Sequence, residues 1–133
     1  RSSAASDVYK RPMNASARDL AKFGLMLMNN GAFNNTQIVP ESWIKSTLEE
    51  SAEYKNIFSK SEYGLRLPGF HYKNQTWVGG PETMICIGIY GQAIYVDQKN
   101  KVVIVKLSSH PEPDDPLILG NTFLGIAALS ENI

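Results

Sequence analysis

The chain has 133 residues, 43% hydrophobic and 20% charged, with 13 basic and 13 acidic side chains in balance. Such a composition describes one globular unit with a core and not a disordered tail, and a chain without net charge has no field to gather nucleic acid or an anionic membrane. The single cysteine, Cys86, cannot form an internal disulfide, and no apolar run approaches the roughly 18–20 residues of a membrane span.

Residues 1–13 are small, polar and aperiodic, and read as an extended lead-in. Ser16 is the expected N-cap of a helix over Ala17–Asn30, with Asp19 as its capping-box partner. Leu20, Phe23, Gly24 and Leu27 form the inward stripe, widened by Ala17, Ala21 and Met28. Gly31 stands where the C′ residue with positive φ is wanted. After the apolar Gln37-Ile38-Val39, Pro40 opens a second helix to about Glu50, with Trp43, Ile44 and Leu48 facing inward.

Residues 51–62 are polar and read as loop. Tyr63–Leu67 reads as a strand stopped by Pro68-Gly69, and residues 69–81 as a long surface loop or irregular hairpin. Met84–Tyr90, Gln92–Asp97 and Lys101–Leu107 are rich in Ile, Val and Tyr, and predict three strands. Asp97-Gln98-Lys99-Asn100 is the turn between the last two. Val102–Val105 is apolar on both faces, so that strand is expected to be covered on both sides. Asp115 caps a final helix over about 116–130, with Leu119, Phe123 and Ile126 buried. The fold class is α+β, an antiparallel sheet flanked by helices.

Chemistry is sparse. His71, His110 and Cys86 are too scattered for a metal site. His71 reads as a surface-loop residue and His110 as the cap of a strand end. Cys86, inside Ile85-Cys86-Ile87, reads as a small core residue and not as a nucleophile. Gly79-Gly80 alone makes no phosphate loop. Asn14, Asn34 and Asn74 head Asn-x-Ser/Thr triplets, which matter only on a eukaryotic secretory route. One Ser-x-x-Lys occurs, Ser42-Trp43-Ile44-Lys45, inside the second predicted helix and after the Asn14 segment. Tyr54-Lys55-Asn56 and Tyr72-Lys73-Asn74 repeat Tyr-x-Asn, but in polar, loop-like stretches.

Three ordered segments carry a resemblance. They are Asn14–Gly24 continuing to Leu27-Met28-Asn29-Asn30-Gly31, then Gln37–Trp43, then Gly88–Asp97 followed by the apolar strand to Leu107-Ser108-Ser109-His110. In order and spacing the chain resembles the C-terminal part of the serine β-lactamase and penicillin-binding-protein-like hydrolases. The nearest branch holds class C β-lactamase-related esterases and 6-aminohexanoate-dimer hydrolases. The resemblance implies a single partial domain over 1–133, the C-terminal segment of a larger β-lactamase-like domain. It implies amide or ester hydrolysis through an acyl-enzyme, with no cofactor and no metal.

The family's Ser-x-x-Lys and Tyr-x-Asn lie upstream of the Asn14 equivalent. The chain is therefore expected to be inactive alone. The family's Lys/His-x-Gly falls on Cys86-Ile87-Gly88, where only Gly88 matches. By resemblance, Gly88 would let substrate approach the backbone and Ile89 would lend its N–H to an oxyanion hole. Tyr90 and Cys86 would line the substrate pocket. Two other readings stand beside this: a non-catalytic, self-associating α+β module derived from the scaffold, and a cell-wall D-Ala peptidase or transpeptidase relative. Strand 101–107 would carry an unpaired edge, open to a homodimer or to an N-terminal segment. A periplasmic and a cytoplasmic location both remain open.

Overall fold

Helix α1 (Ala17–Met28) begins where its cap predicts. The Ser16 Oγ accepts from the Asp19 N–H at 3.2 Å and donates to the Asp19 carboxylate at 2.7 Å. This is a computed structural model, which describes residues 14–132; the lead-in expected over residues 1–13 lies outside the described residues. The helix ends earlier than expected. Asn30, at φ 53°, takes the left-handed C′ position, and Gly31 follows it as C″. The Gly31 N–H reaches Met26 O at 2.8 Å and the Asn30 N–H reaches Leu27 O at 3.2 Å, the paired bonds of a Schellman end. Gly31 is still required, because a Cβ there would lie 2.2 Å from Val39 O.

A two-residue hairpin comes next, β1 (Ala32–Phe33) and β2 (Thr36–Gln37), turned by Asn34 and Asn35 at φ 50° and 60°. Helix α2 (Glu41–Leu48) then starts one residue after Pro40. Ile44 and Leu48 are buried as expected. Trp43 is not inward but 39% exposed, and Thr47 is buried instead. The helical pitch explains this: Ile44, Thr47 and Leu48 share one face, and position 43 lies at its flank.

The region read as loop and strand is helical. Helix α3 (Ala52–Ser59) and the short α4 (Glu62–Arg66) occupy it. Each has a serine N-cap: Ser51 Oγ accepts from the Tyr54 N–H and Ser61 Oγ from the Gly64 N–H. Gly64 is forced, since a Cβ would fall 2.0 Å from Phe58 O. Tyr63–Leu67 is thus no strand. Tyr54-Lys55-Asn56 is part of α3.

The main sheet is a meander, β3 (His71–Lys73), β4 (Thr76–Gly80), β5 (Thr83–Gly88), β6 (Gln92–Asp97) and β7 (Val102–Lys106), antiparallel throughout and ordered as in the chain. The β3–β4 hairpin settles residues 69–81 as the irregular-hairpin option. Asn74 and Gln75 turn it at φ 51° and 61°, and the register shifts between Val78 and Gly80. Cross-strand partners share a face. Val78, Met84, Cys86, Ile94, Val96, Val103 and Val105 therefore point one way. Against them packs α1, where Gly24 brings its backbone onto Val103 and Ile94. Met26, Leu27, Ile44 and Leu48 complete this core. Phe23, expected inside, is 45% exposed, and Met26 takes its place.

His71 also departs from expectation. It is a fully buried strand residue, 0% exposed, and not part of a surface loop. Its register partner is Val78, which places it on the core face. The last helix, α5 (Pro116–Glu131), is capped by Asp115 as expected; its carboxylate accepts from the Leu117 and Ile118 N–H groups. The Ser130 Oγ donates to the buried Asp97 at 2.7 Å and ties α5 to the opposite sheet face. Ile126 is buried; Leu119 and Phe123 are half-buried, while Leu117, Leu124 and Leu129 face outward. Strand β7 is the sheet's edge among the described residues, with Val102 buried and Val103–Val105 half-buried. No helix of the described residues is long and apolar enough to cross a membrane.

Candidate functional site

Strand β5 was expected to run to Tyr90. It ends at Gly88, and Ile89–Gly91 form one tight 3-10 turn back into β6. Two glycines bound the change. Gly88 pairs with Gln92 at the last rung of the ladder. Gly91 sits at φ 81°, with Tyr90 before it at φ 57° and ψ 26°. A tyrosine in this left-handed region carries backbone strain. Ile89 and Tyr90 are both exposed at the turn.

The turn is braced by the end of β7 and the segment after it. The Tyr90 N–H donates to Pro113 O at 2.9 Å, and the His110 N–H donates to Tyr90 O at 3.2 Å. Lys106 Nζ donates to Gly91 O at 3.3 Å and meets His110 Nε2 at 2.9 Å. The Gln92 amide closes a reciprocal pair with Ser108. Its Oε1 accepts from the Ser108 N–H at 3.1 Å, and its Nε2 donates to Ser108 O. His110 thus does more than cap a strand end. Among the described turn and loop hydrogen bonds, the Ile89 N–H donates none.

Cys86 is half-buried two rungs before Gly88. Burial pushes its thiol up from the ordinary value, against a smaller opposing effect of a hydrogen bond with Thr76. A thiolate is therefore disfavoured there, and the side chain is a wall and not a nucleophile. It lines two adjoining hollows on the α1 face. One, of about 770 Å³, runs past Leu20, Phe23, Trp43 and Thr76. The other, of about 340 Å³, reaches Gly88, Gln92 and Leu107. Ala15, Leu20, Cys86 and Ile94 line both, so they form one largely apolar groove. Gly88 and Cys86 are brought to this groove together. Ile89 and Tyr90 stand at the turn beyond its end.

Sequence reasoning missed the outward Trp43 and Phe23, and missed the brace from Lys106, Ser108 and His110. The sequence signal for the brace was weak. A glutamine directly after the Gly91 turn and three prolines after β7 were all it offered. Among the described residues no group of three or more His, Cys, Asp or Glu is arranged to hold a metal ion.

Known proteins resemble the chain, among them the following two. The chain is 33% identical over 104 residues to the 6-aminohexanoate-dimer hydrolase of Paenarthrobacter ureafaciens, a match covering 77% of this chain and 26% of that protein. A solved structure from Bacillus anthracis, provisionally assigned as a 6-aminohexanoate-dimer hydrolase, superposes with a TM-score of 0.66 at 33% identity. It covers 90% of this chain and 30% of its own. The chain therefore spans about a quarter of the length of the curated relative it matches. No family model matches it.

Proposed function

We propose, for a chain that belongs to the β-lactamase-like hydrolases and matches their C-terminal part, that residues 84–92 form one wall of a serine acyl hydrolase cleft. The observation that carries this reading is the Gly88–Gly91 turn at the end of β5. It leaves the Ile89 N–H without a donor bond in the turn, beside glycines that give close access.

A small ester or amide lies with its carbonyl oxygen toward the Ile89 N–H. A serine and lysine from the upstream part of the longer protein supply nucleophile and base. Attack converts the carbonyl to a tetrahedral oxyanion, and the Ile89 dipole, already aimed, stabilises that charge more than the ground state. Collapse expels the alcohol or amine with a proton and leaves an acyl-serine, which water then hydrolyses. Cys86 and Tyr90 line the walls, and Gly88 admits the substrate to the backbone. The residues of this chain require no cofactor for that sequence. Alone, without the serine, the chain is inactive. A fluorophosphonate probe labels the longer protein and leaves this chain untouched; labelling of the chain itself would sink the reading.

A second reading has its own support. Strand β7 has an unpaired edge among the described residues, and Leu117, Leu124 and Leu129 of α5 face outward. In that reading the chain is a non-catalytic module that pairs through β7, with a second copy or with an N-terminal segment. The probe separates the two, because a non-catalytic scaffold stays unlabelled at any length.

A further inference from the structure

We infer that His110, with Lys106, is a positioning residue: together they hold the Ile89–Gly91 turn and so set the direction of the Ile89 N–H. The inference rests on the reading of that N–H as an oxyanion donor, and adds the residues that aim it. The turn alone is a poor support. It has three residues, and Tyr90 sits at φ 57°, in a left-handed region that L-residues other than Asn and Asp seldom occupy. Strain of this kind persists only where surrounding structure over-determines it.

The over-determination comes from residues 106–113. Two backbone bonds hold Tyr90 on both its sides, to Pro113 O and from the His110 N–H. The imidazole of His110 lies against Gly91, so close that a Cβ there would fall 2.1 Å from its Cε1. Lys106 Nζ bridges that ring to Gly91 O. With the ammonium as donor, His110 Nε2 is the acceptor, so its ring proton is on Nδ1. Lys106 shares a rung with Ala93, and it borders the narrower end of the groove beside Gly88, Gln92 and Leu107. It therefore ties the turn to the end of β7 at the rim of the groove. The torsions of residues 88–90 orient the Ile89 N–H, and these are what the brace fixes.

Residue-resolved amide exchange on this chain, with esterase kinetics on the longer protein, tests the inference. In His110→Ala the Tyr90 amide should exchange about tenfold faster, as loss of one hydrogen bond's worth of local stability implies. The Val96 amide in β6 serves as control and should not change. In the longer protein kcat should fall about tenfold or more at nearly constant KM. His110→Gln, which keeps an acceptor for Lys106, should recover most of both. Unchanged exchange at Tyr90 overturns the inference, and so does equal acceleration at Tyr90 and Val96. If Tyr90 responds but the wild-type longer protein takes up no fluorophosphonate, the brace stands and the oxyanion reading falls.

Discussion

Gly24→Ala probes the tightest seam in the fold, where α1 lies on β6 and β7. A Cβ at position 24 would sit 2.5 Å from Val103 Cγ1 and 3.3 Å from Ile94 Cγ2. Two effects oppose each other. Alanine inside a helix is favoured over glycine by about 1 kcal/mol. Crowding a methyl group into a filled seam costs about 1–3 kcal/mol. Val103 has little room to yield. Its backbone is paired to Val96, and a β-branched side chain has few χ1 alternatives. The crowding therefore wins, and Gly24→Ala should lose up to about 2 kcal/mol. Urea unfolding followed by far-UV circular dichroism measures the difference, with an unchanged m-value as the check on two-state behaviour. Val103→Ala removes the colliding methyl. In a double-mutant cycle the pair should couple favourably by about 1 kcal/mol or more. A Gly24→Ala variant more stable than wild type, or an additive cycle, would refute the packing argument.

Burial lowers the pKa of His71, Lys55 and Lys73 act in the same direction, and the Thr47 backbone and Glu50 oppose them. The folded state thus keeps the ring neutral while the unfolded chain protonates near its ordinary value. Stability is full above about pH 6.5 and falls as pH drops below it, with a slope of at most about 1.4 kcal/mol per pH unit. His71→Phe should flatten the dependence of Tm on pH over that window, and an unaltered slope would remove His71 as the cause. Ser61→Ala deletes the N-cap of α4 and should cost about 1 kcal/mol by the same urea assay; a neutral result would mean that α4 is held by other contacts. Sedimentation of this chain should show self-association through β7 that Ile104→Pro abolishes. A stable monomer at high micromolar concentration, with freely exchanging β7 amides, would count against that edge.

What could be read in the sequence divides along physical lines. Helix α1 was legible because Ser16, Asp19 and Gly31 bracket an apolar period, and strands β5 to β7 because β-branched residues dominate them. Helices α3 and α4 were not. Their stretches, such as Glu53-Tyr54-Lys55-Asn56, bury almost nothing, so no period marks them, and only the caps Ser51 and Ser61 remained as signals. Tyr63-Gly64-Leu65 has strand-like side chains, but a local hydrogen bond to Ser61 decides against that preference. The burial of His71 depends on α2 and α3 closing over β3, a tertiary fact that composition does not carry. At the site, Gly88 and Cys86 were legible as neighbours on one strand. The left-handed Tyr90 was not, because its conformation is imposed by residues some 20 positions later.

The meander order of the sheet also bears on how the chain folds. Each strand pairs with its neighbour in sequence across a short turn, so the entropy lost in closing each loop is small. Strands β3 to β7 can therefore zip up rung by rung, as a low-contact-order structure does. Helix α1 is the exception, since Gly24 meets Val103 only after everything between them has been laid down. Its docking is the late event, and the half-built sheet waits with the Val103 face uncovered until it arrives.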